Sequence, residues 1–363
     1  MKNIIDIELI TKFHDKVNSN SYFVLHRYKN VNEKNQWNII CSCMDWISVA
    51  IRNLYDMKND NTNIDVLSMQ TYLYISSIDI IFEAITQLHR VLACDNSIPF
   101  KNDNSVFQKS TPFEHMDDNT YFKHIRATFG AHPVNLNDKS GQWFASWPYK
   151  DFMDEYDFQV RLYSNKPKQE DITFGIKFNE LNNFLNLRYS YLNDLIEMIN
   201  NQYNNYVLEK KKQIIITEKN IIKQLEILHE EAKNRLDNDY YIYAIVDLLK
   251  IFNTQLSSDH TLEKKYKEEL KKVIDEIHKN LQNMEIVDLS TDKILYPDYP
   301  SSLSYEMSKL LPILSHSTHD PLFDFYLKQI NEKSNKEIII YENDSNNEIF
   351  LKVKILIYFK MWL

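Results

Sequence analysis

A chain of 363 residues with 44% hydrophobic and 13% aromatic content is long enough to bury one large core or two, and lies outside the composition of disordered segments. Its three glycines, Gly130, Gly141 and Gly175, exclude the glycine-rich phosphate loops of dinucleotide-binding, P-loop and kinase folds. A net charge of −9 argues against non-specific coating of nucleic acid, which counterion release drives, and still leaves room for a local basic cleft.

Cys41, Cys43 and Cys94 are odd in number and sit in apolar helical runs, so free thiols in a reducing compartment are expected. The opening MKNIIDIELITKFHDK lacks an apolar core of signal-peptide length. The apolar runs fall short of the roughly 20 residues that span a membrane. The expectation is a cytoplasmic protein with no membrane partner.

In chain order, residues 37–57 repeat apolar side chains every three to four positions (Trp37, Ile40, Met44, Ile47, Ile51, Leu54), which predicts a helix with one apolar face. A second helix is predicted from a cap at Asp65 to about Leu92, with Leu67, Tyr74, Ile78, Phe82, Ile85 and Leu88 on its apolar side. Residues 95–111 read as a loop, and MDDNTYFKHIRATFG as a short helix starting near Asp118 or Asn119. Beyond His132 the period changes to alternation, and QWFASWPY, DFQVRLYS and DITFGIKF predict three short antiparallel strands. A long helical pattern resumes at Phe178.

These elements make residues 1–212 a helical domain, with a four-helix bundle over 30–212 and a small β insert at about 140–178. Residues 218–363 form a second helical region, with Thr217 as a candidate cap and helical segments at 218–235, 239–256 and 261–284. The proline-bearing stretch YPDYPSSLSYEMSKLLPIL reads as irregular, followed by a helix near 321–332. In the tail, Ile349, Leu351, Val353, Ile355 and Ile357 alternate with other residues, which predicts a C-terminal β-hairpin. The fold class is mainly α.

The stretch YFKHIRATFGAHPVNL carries Arg126 and His132. On an uninterrupted helix two positions six apart point in different directions. Gly130 suits the left-handed residue that closes a helix, and Pro133 disfavours helical geometry at His132. The break lets the two side chains approach each other. An imidazole can take a proton from a ribose 2′-hydroxyl or give one to a leaving 5′-oxygen near neutral pH. A guanidinium presents a fork of donors to phosphate oxygens as charge develops on them. Tyr121, Phe122, Phe129, Trp143 and Trp147 lie close in sequence and are candidates for stacking unpaired bases.

An Arg-x(4–6)-His element at a helix end within a helical bundle resembles the HEPN superfamily. The resemblance implies a metal-independent endoribonuclease, a toxin or anti-phage effector, with Arg126 and His132 as the catalytic pair. It also implies RNA as substrate, a homodimer with a composite active site, and an antitoxin or other regulatory protein as partner. Ala127 stands where the family often places Asn or another polar residue. Val134 replaces the tyrosine of toxins neutralised by nucleotidyl transfer, which speaks against that control.

Asp79 and Glu83 lie one helical turn apart beside the apolar stripe of the second helix, placed to orient His132 or hold Arg126, or else to form a solvated acidic edge. His124 is expected at the surface. His316, His319 and Asp320, with His278 and Asp324, weakly resemble an HD-type phosphohydrolase set; Asp320-Pro321 reads equally as a helix start. No metal or cofactor is expected. The alternative to the nuclease is a non-catalytic helical scaffold that binds a protein or RNA partner.

Overall fold

Asn63, two residues ahead of the expected Asp65, starts the long helix of the first half. The computed structural model describes residues 5–19, 21–57, 63–109, 113–138, 141–147, 155–236, 239–256, 261–316, 318–341 and 343–363. The Asn63 side chain accepts from the backbone N–H of Asp65 at 2.9 Å and of Val66 at 3.4 Å, satisfying two donors the helix leaves open. That helix, α4 (Ile64–Leu92), follows α1 (Glu8–Ser19), α2 (Ser21–Tyr28) and α3 (Trp37–Asp56). Among the buried residues of α3 are Ile40, Met44, Ile47, Ile51 and Leu54, the face its periodicity predicts, and it packs along α4.

The expected long helix after Phe178 divides at Tyr191 into α6 (Phe178–Ser190) and α7 (Leu192–Lys212). Between them and α4 lies α5 (Asp118–Arg126). Phe122 of α5 stacks on Phe184 of α6 with ring centroids 4.4 Å apart, and Phe82 of α4 meets them edge-on at 6.1 and 5.4 Å. Three helices therefore share one aromatic core, where pairs of this geometry add to simple burial.

Residues 95–109 form no helix or strand, yet they are tied down by buried polar groups. Asp118 is fully buried and accepts from the backbone N–H of Val106 at 2.8 Å, with Lys109 Nζ at 2.5 Å. Asn119 donates to the Pro99 carbonyl at 3.0 Å and accepts from Arg188 Nη2 at 2.8 Å. The Arg188 guanidinium lies 3.8 Å from the Phe184 ring centroid, and burial pushes it down to about 10, still charged at neutral pH. Asp118, Asn119 and the Arg188 Nη2 group each have a partner, which is what makes their burial tolerable, while Arg188 Nε and Nη1 make no hydrogen bond.

The sheet is antiparallel and ordered β1 (Leu136–Asp138), β2 (Gly141–Ser146), β3 (Phe158–Ser164), β4 (Ile172–Ile176), one strand more than the alternation predicts. Trp143, Phe158, Val160, Leu162, Phe174 and Ile176 point inward and are buried. The two-residue period thus sorts each strand into a core face and an outer face.

The chain divides into two compact units, Met1–Tyr203 and Asn204–Leu363, so the divide falls within α7. In the second unit Asn220, not Thr217, caps α8 (Ile221–Arg235), accepting from Ile222 N at 3.0 Å and Lys223 N at 3.1 Å. Next come α9 (Asp239–Asn253) and α10 (Thr261–Gln282). The stretch read as irregular holds α11 (Ser304–His316), with Pro312 inside it, and α12 (Phe323–Lys333) follows.

The expected C-terminal hairpin is instead a helix, α13 (Asn346–Tyr358). Ser345 and Glu348 form a capping box at its start, and every residue from Ile349 to Ile357 is buried. The alternating apolar positions were a subset of a helix enclosed on all sides, where intervening Phe350, Lys352, Lys354 and Leu356 are also covered. Lys352 Nζ pairs with Asp344 at 2.5 Å. Lys354 Nζ donates to the Leu295 carbonyl at 2.7 Å beside the Tyr296 ring.

Burial pushes the Lys354 amine down to about 8, partly opposed by Asp247. Between about pH 8 and 10 the unfolded chain therefore holds more protons at this residue than the fold does, and stability rises with pH across that window. Relative to Lys354→Met, the parent chain is expected to gain about 2 kcal/mol from pH 8 to pH 10 in urea unfolding. A pH-independent difference would contradict this reading. No helix among the described residues is long and apolar enough to cross a membrane.

Candidate active site at the end of α5

Asp117 caps α5 by accepting from Thr120 N at 2.7 Å, and Arg126 ends the helix. The chain then widens into one π-helical turn, Ala127–Ala131, closed by the His132 N–H donating to the Ala127 carbonyl at 3.0 Å. This corrects the expected glycine cap: Gly141 carries positive φ and Gly130 does not. Gly130 is instead a close approach to α4. A Cβ there would lie 3.3 Å from the Tyr72 ring of α4, tighter than ordinary contact. His132 leaves the turn at φ −140°, ψ 42°, and Pro133 keeps the helix from resuming. Single π turns of this kind occur disproportionately at functional sites.

Arg126 Nε lies 3.0 Å from Asp79 Oδ2 on α4, with side chains 47% and 25% exposed. Burial raises the Asp79 carboxyl above its usual range, and the Arg126 charge pulls it back. The pair fixes the guanidinium's Nε edge and leaves its outer edge toward solvent. His132 is exposed.

Glu83, the other candidate carboxylate, is not in this pair. It is exposed and accepts from Gln87 Nε2 at 2.6 Å. Its charge is felt at Cys43 on α3, whose thiol is pushed up to about 12 mainly by burial. Of the aromatics expected to stack bases, Tyr121, Phe122, Phe129 and Trp143 are buried in the core, and Trp147 alone of the five is exposed. His124 is not a surface histidine either. Its ring packs 4.6 Å from Phe113 and 5.0 Å from Phe174.

His319, Asp320 and Asp324 of the second unit line one cavity of about 310 Å³. Among the described residues, no three His, Cys, Asp or Glu side chains are grouped to hold a metal ion. Asp320 Oδ1 accepts from Leu322 N at 2.7 Å, a turn just ahead of α12.

The π turn, the Tyr72 contact and the Arg188 network went unread in the sequence. Asp117-Asp118-Asn119 directly ahead of an apolar helical period is the signal for the last of these, since one such residue suffices for a cap. No family model matches the chain, and comparison with curated proteins and with solved structures gives no match.

Proposed function

We propose that the chain is a metal-independent endoribonuclease in which Arg126 and His132 act on one phosphodiester. The observation that carries this reading is a guanidinium braced by Asp79 at an exposed helix end, one π turn before an exposed imidazole. The His132 imidazole accepts the proton of a ribose 2′-hydroxyl, whose oxygen attacks the adjacent phosphorus. The Arg126 guanidinium neutralises the charge that grows on the non-bridging oxygens. The 5′-oxygen leaves with a proton drawn from water, and the imidazolium returns its proton to the hydroxide so formed, giving a 2′,3′-cyclic phosphate and a 5′-hydroxyl. The HEPN resemblance adds the toxin or anti-phage setting and an antitoxin as regulator.

A homodimer with a composite site is part of the proposal. On α4, Val66, Met69, Tyr72 and Leu73 form an exposed apolar stripe that leads toward Asp79, and Trp46 and Val49 are exposed on α3. An apolar surface of this kind is typical of an interface. Covering it with a second copy would bring two Arg126/His132 pairs near each other. The same stripe would serve the alternative, a non-catalytic scaffold, as a partner surface. Cleavage distinguishes them.

Purified protein in EDTA is expected to cut single-stranded RNA and to leave its 2′-deoxy counterpart intact; no cleavage of any RNA favours the scaffold. Asp79→Asn removes the charge that braces Arg126 and keeps the side chain's shape. Because the pair is half exposed, stability should change by less than about 1 kcal/mol. Cleavage is expected to fall by about 10-fold or more in kcat, as orientation of the guanidinium is lost. Unchanged kcat would show that Asp79 does not position it.

A further inference from the structure

The outer face of the sheet carries a pattern that the Arg126/His132 pair does not use. The register sets Phe144 opposite Tyr163, Ser146 opposite Arg161, and Arg161 opposite Thr173. Trp143, Val160 and Leu162 turn the other way into the core, so these residues share the outward face. Tyr163 is 41% exposed, and Arg161 and Thr173 are exposed beside it. Arg161 is the one charged residue within the sequences of β2, β3 and β4, in a chain whose net charge is −9. Gly175 belongs to the same face. A Cβ there would fall 2.1 Å from the Tyr156 ring, so that ring rests directly on the strand backbone; Gln159 beside it is buried, and the open part of the face is the end formed by Phe144, Ser146, Arg161, Tyr163 and Thr173.

From this arrangement we infer that the outer face of β2–β4 is a stacking platform for the unpaired bases of single-stranded RNA, with Tyr163 and Phe144 as the stacking rings and Arg161 as the phosphate or base contact. The inference rests on the nuclease reading for its biological purpose and deepens it by naming the form of the substrate. Aromatic side chains on an exposed antiparallel sheet accept bases of any sequence, because every base has a π face. A guanidinium beside them adds cation–π and phosphate contacts. Thr173 and Ser146 supply hydroxyls at the same level. Polar and aromatic groups alternate across this face, which suits planar bases better than the contiguous apolar core of a protein interface.

The sheet is also tied through its backbone to the segment that carries His132. Ala145 of β2 donates its N–H to the Pro133 carbonyl at 2.6 Å, and Pro133 directly follows His132. The backbone of β2 therefore runs next to the residue that follows His132.

The test is binding of a short fluorescent single-stranded RNA with 2′-fluoro sugars, which lacks the hydroxyl nucleophile, measured by anisotropy on the full chain. Tyr163→Ala is expected to weaken it about 10-fold or more. Tyr163→Phe keeps the ring and should bind as the parent does, while Arg161→Ala should weaken binding and flatten its salt dependence. Preference for the single strand over a duplex of the same sequence supports the platform. Equal affinity of Tyr163→Ala and the parent, or no RNA binding at all, overturns it and leaves the face to a protein partner or to solvent. Tyr163-dependent binding without cleavage of natural RNA would uphold the platform and sink the nuclease. Cleavage that needs His132 but ignores Tyr163 would do the reverse.

Discussion

Replacing His132 with alanine is expected to slow RNA cleavage by about 10²–10⁴-fold, the range for loss of a positioned acid–base group. Arg126→Ala is expected to cost about 10²–10³-fold, the range for one donor to a developing oxyanion. Both side chains are exposed, and the Arg126 ion pair is itself solvated. Each variant should therefore stay within about 0.5 kcal/mol of the parent in stability. The two losses should not multiply. If imidazole and guanidinium act on one phosphate, the double variant falls little further than the worse single one. Multiplying effects would mean that the two residues serve separate steps or separate sites, and cleavage that survives both would remove them from the mechanism.

The largest effect on stability is expected at Arg188. Its side chain is 1% exposed, it donates to Asn119, it faces Asp103 at 3.9 Å, and its guanidinium covers the Phe184 ring. Arg188→Ala removes the charge and the stem together and leaves Asn119 and part of the 95–109 segment without their anchor. The first unit is expected to lose about 3–5 kcal/mol, as for breaking a buried charged pair. Arg188→Met keeps most of the packing against Phe184 and loses the hydrogen bonds, so about 1–3 kcal/mol is expected. Urea midpoints give both numbers if the slope is unchanged. Proteolytic cleavage should also concentrate in residues 95–109 in the alanine variant. A loss below about 1 kcal/mol in Arg188→Ala would show that the buried network does not hold the loop.

Legibility in the sequence followed from how one-sided each element's burial is. The helix α3 buries one face and exposes the other, so its period stood out. The sheet strands behave likewise, with inward Val160 and Leu162 alternating with exposed Arg161 and Tyr163. The helix α13 is buried all round, which erases the 3.6-residue period and lets an apparent two-residue alternation emerge. Its capping box, Ser345 to Glu348, was the local signal that outweighed the alternation.

At the candidate site, the residue types were legible and their setting was not. Gly130 reads locally as a left-handed cap, but its φ is not positive, and its close neighbour is the ring of Tyr72, 58 positions earlier. Asp79 was one of two carboxylates a turn apart, and only tertiary packing selects it over Glu83 as the partner of Arg126. Tyr121, Phe122 and Phe129 are near Arg126 in sequence because they fill the core beneath it.

The chemical ends of the RNA fragments produced in EDTA, read by mass spectrometry for the parent chain and for H132A, test the nuclease most directly. A 2′,3′-cyclic phosphate on the upstream fragment and a 5′-hydroxyl on the downstream one, both absent with H132A, are the predicted result. Fragments ending in a 3′-hydroxyl, or identical products from the two proteins, would contradict it.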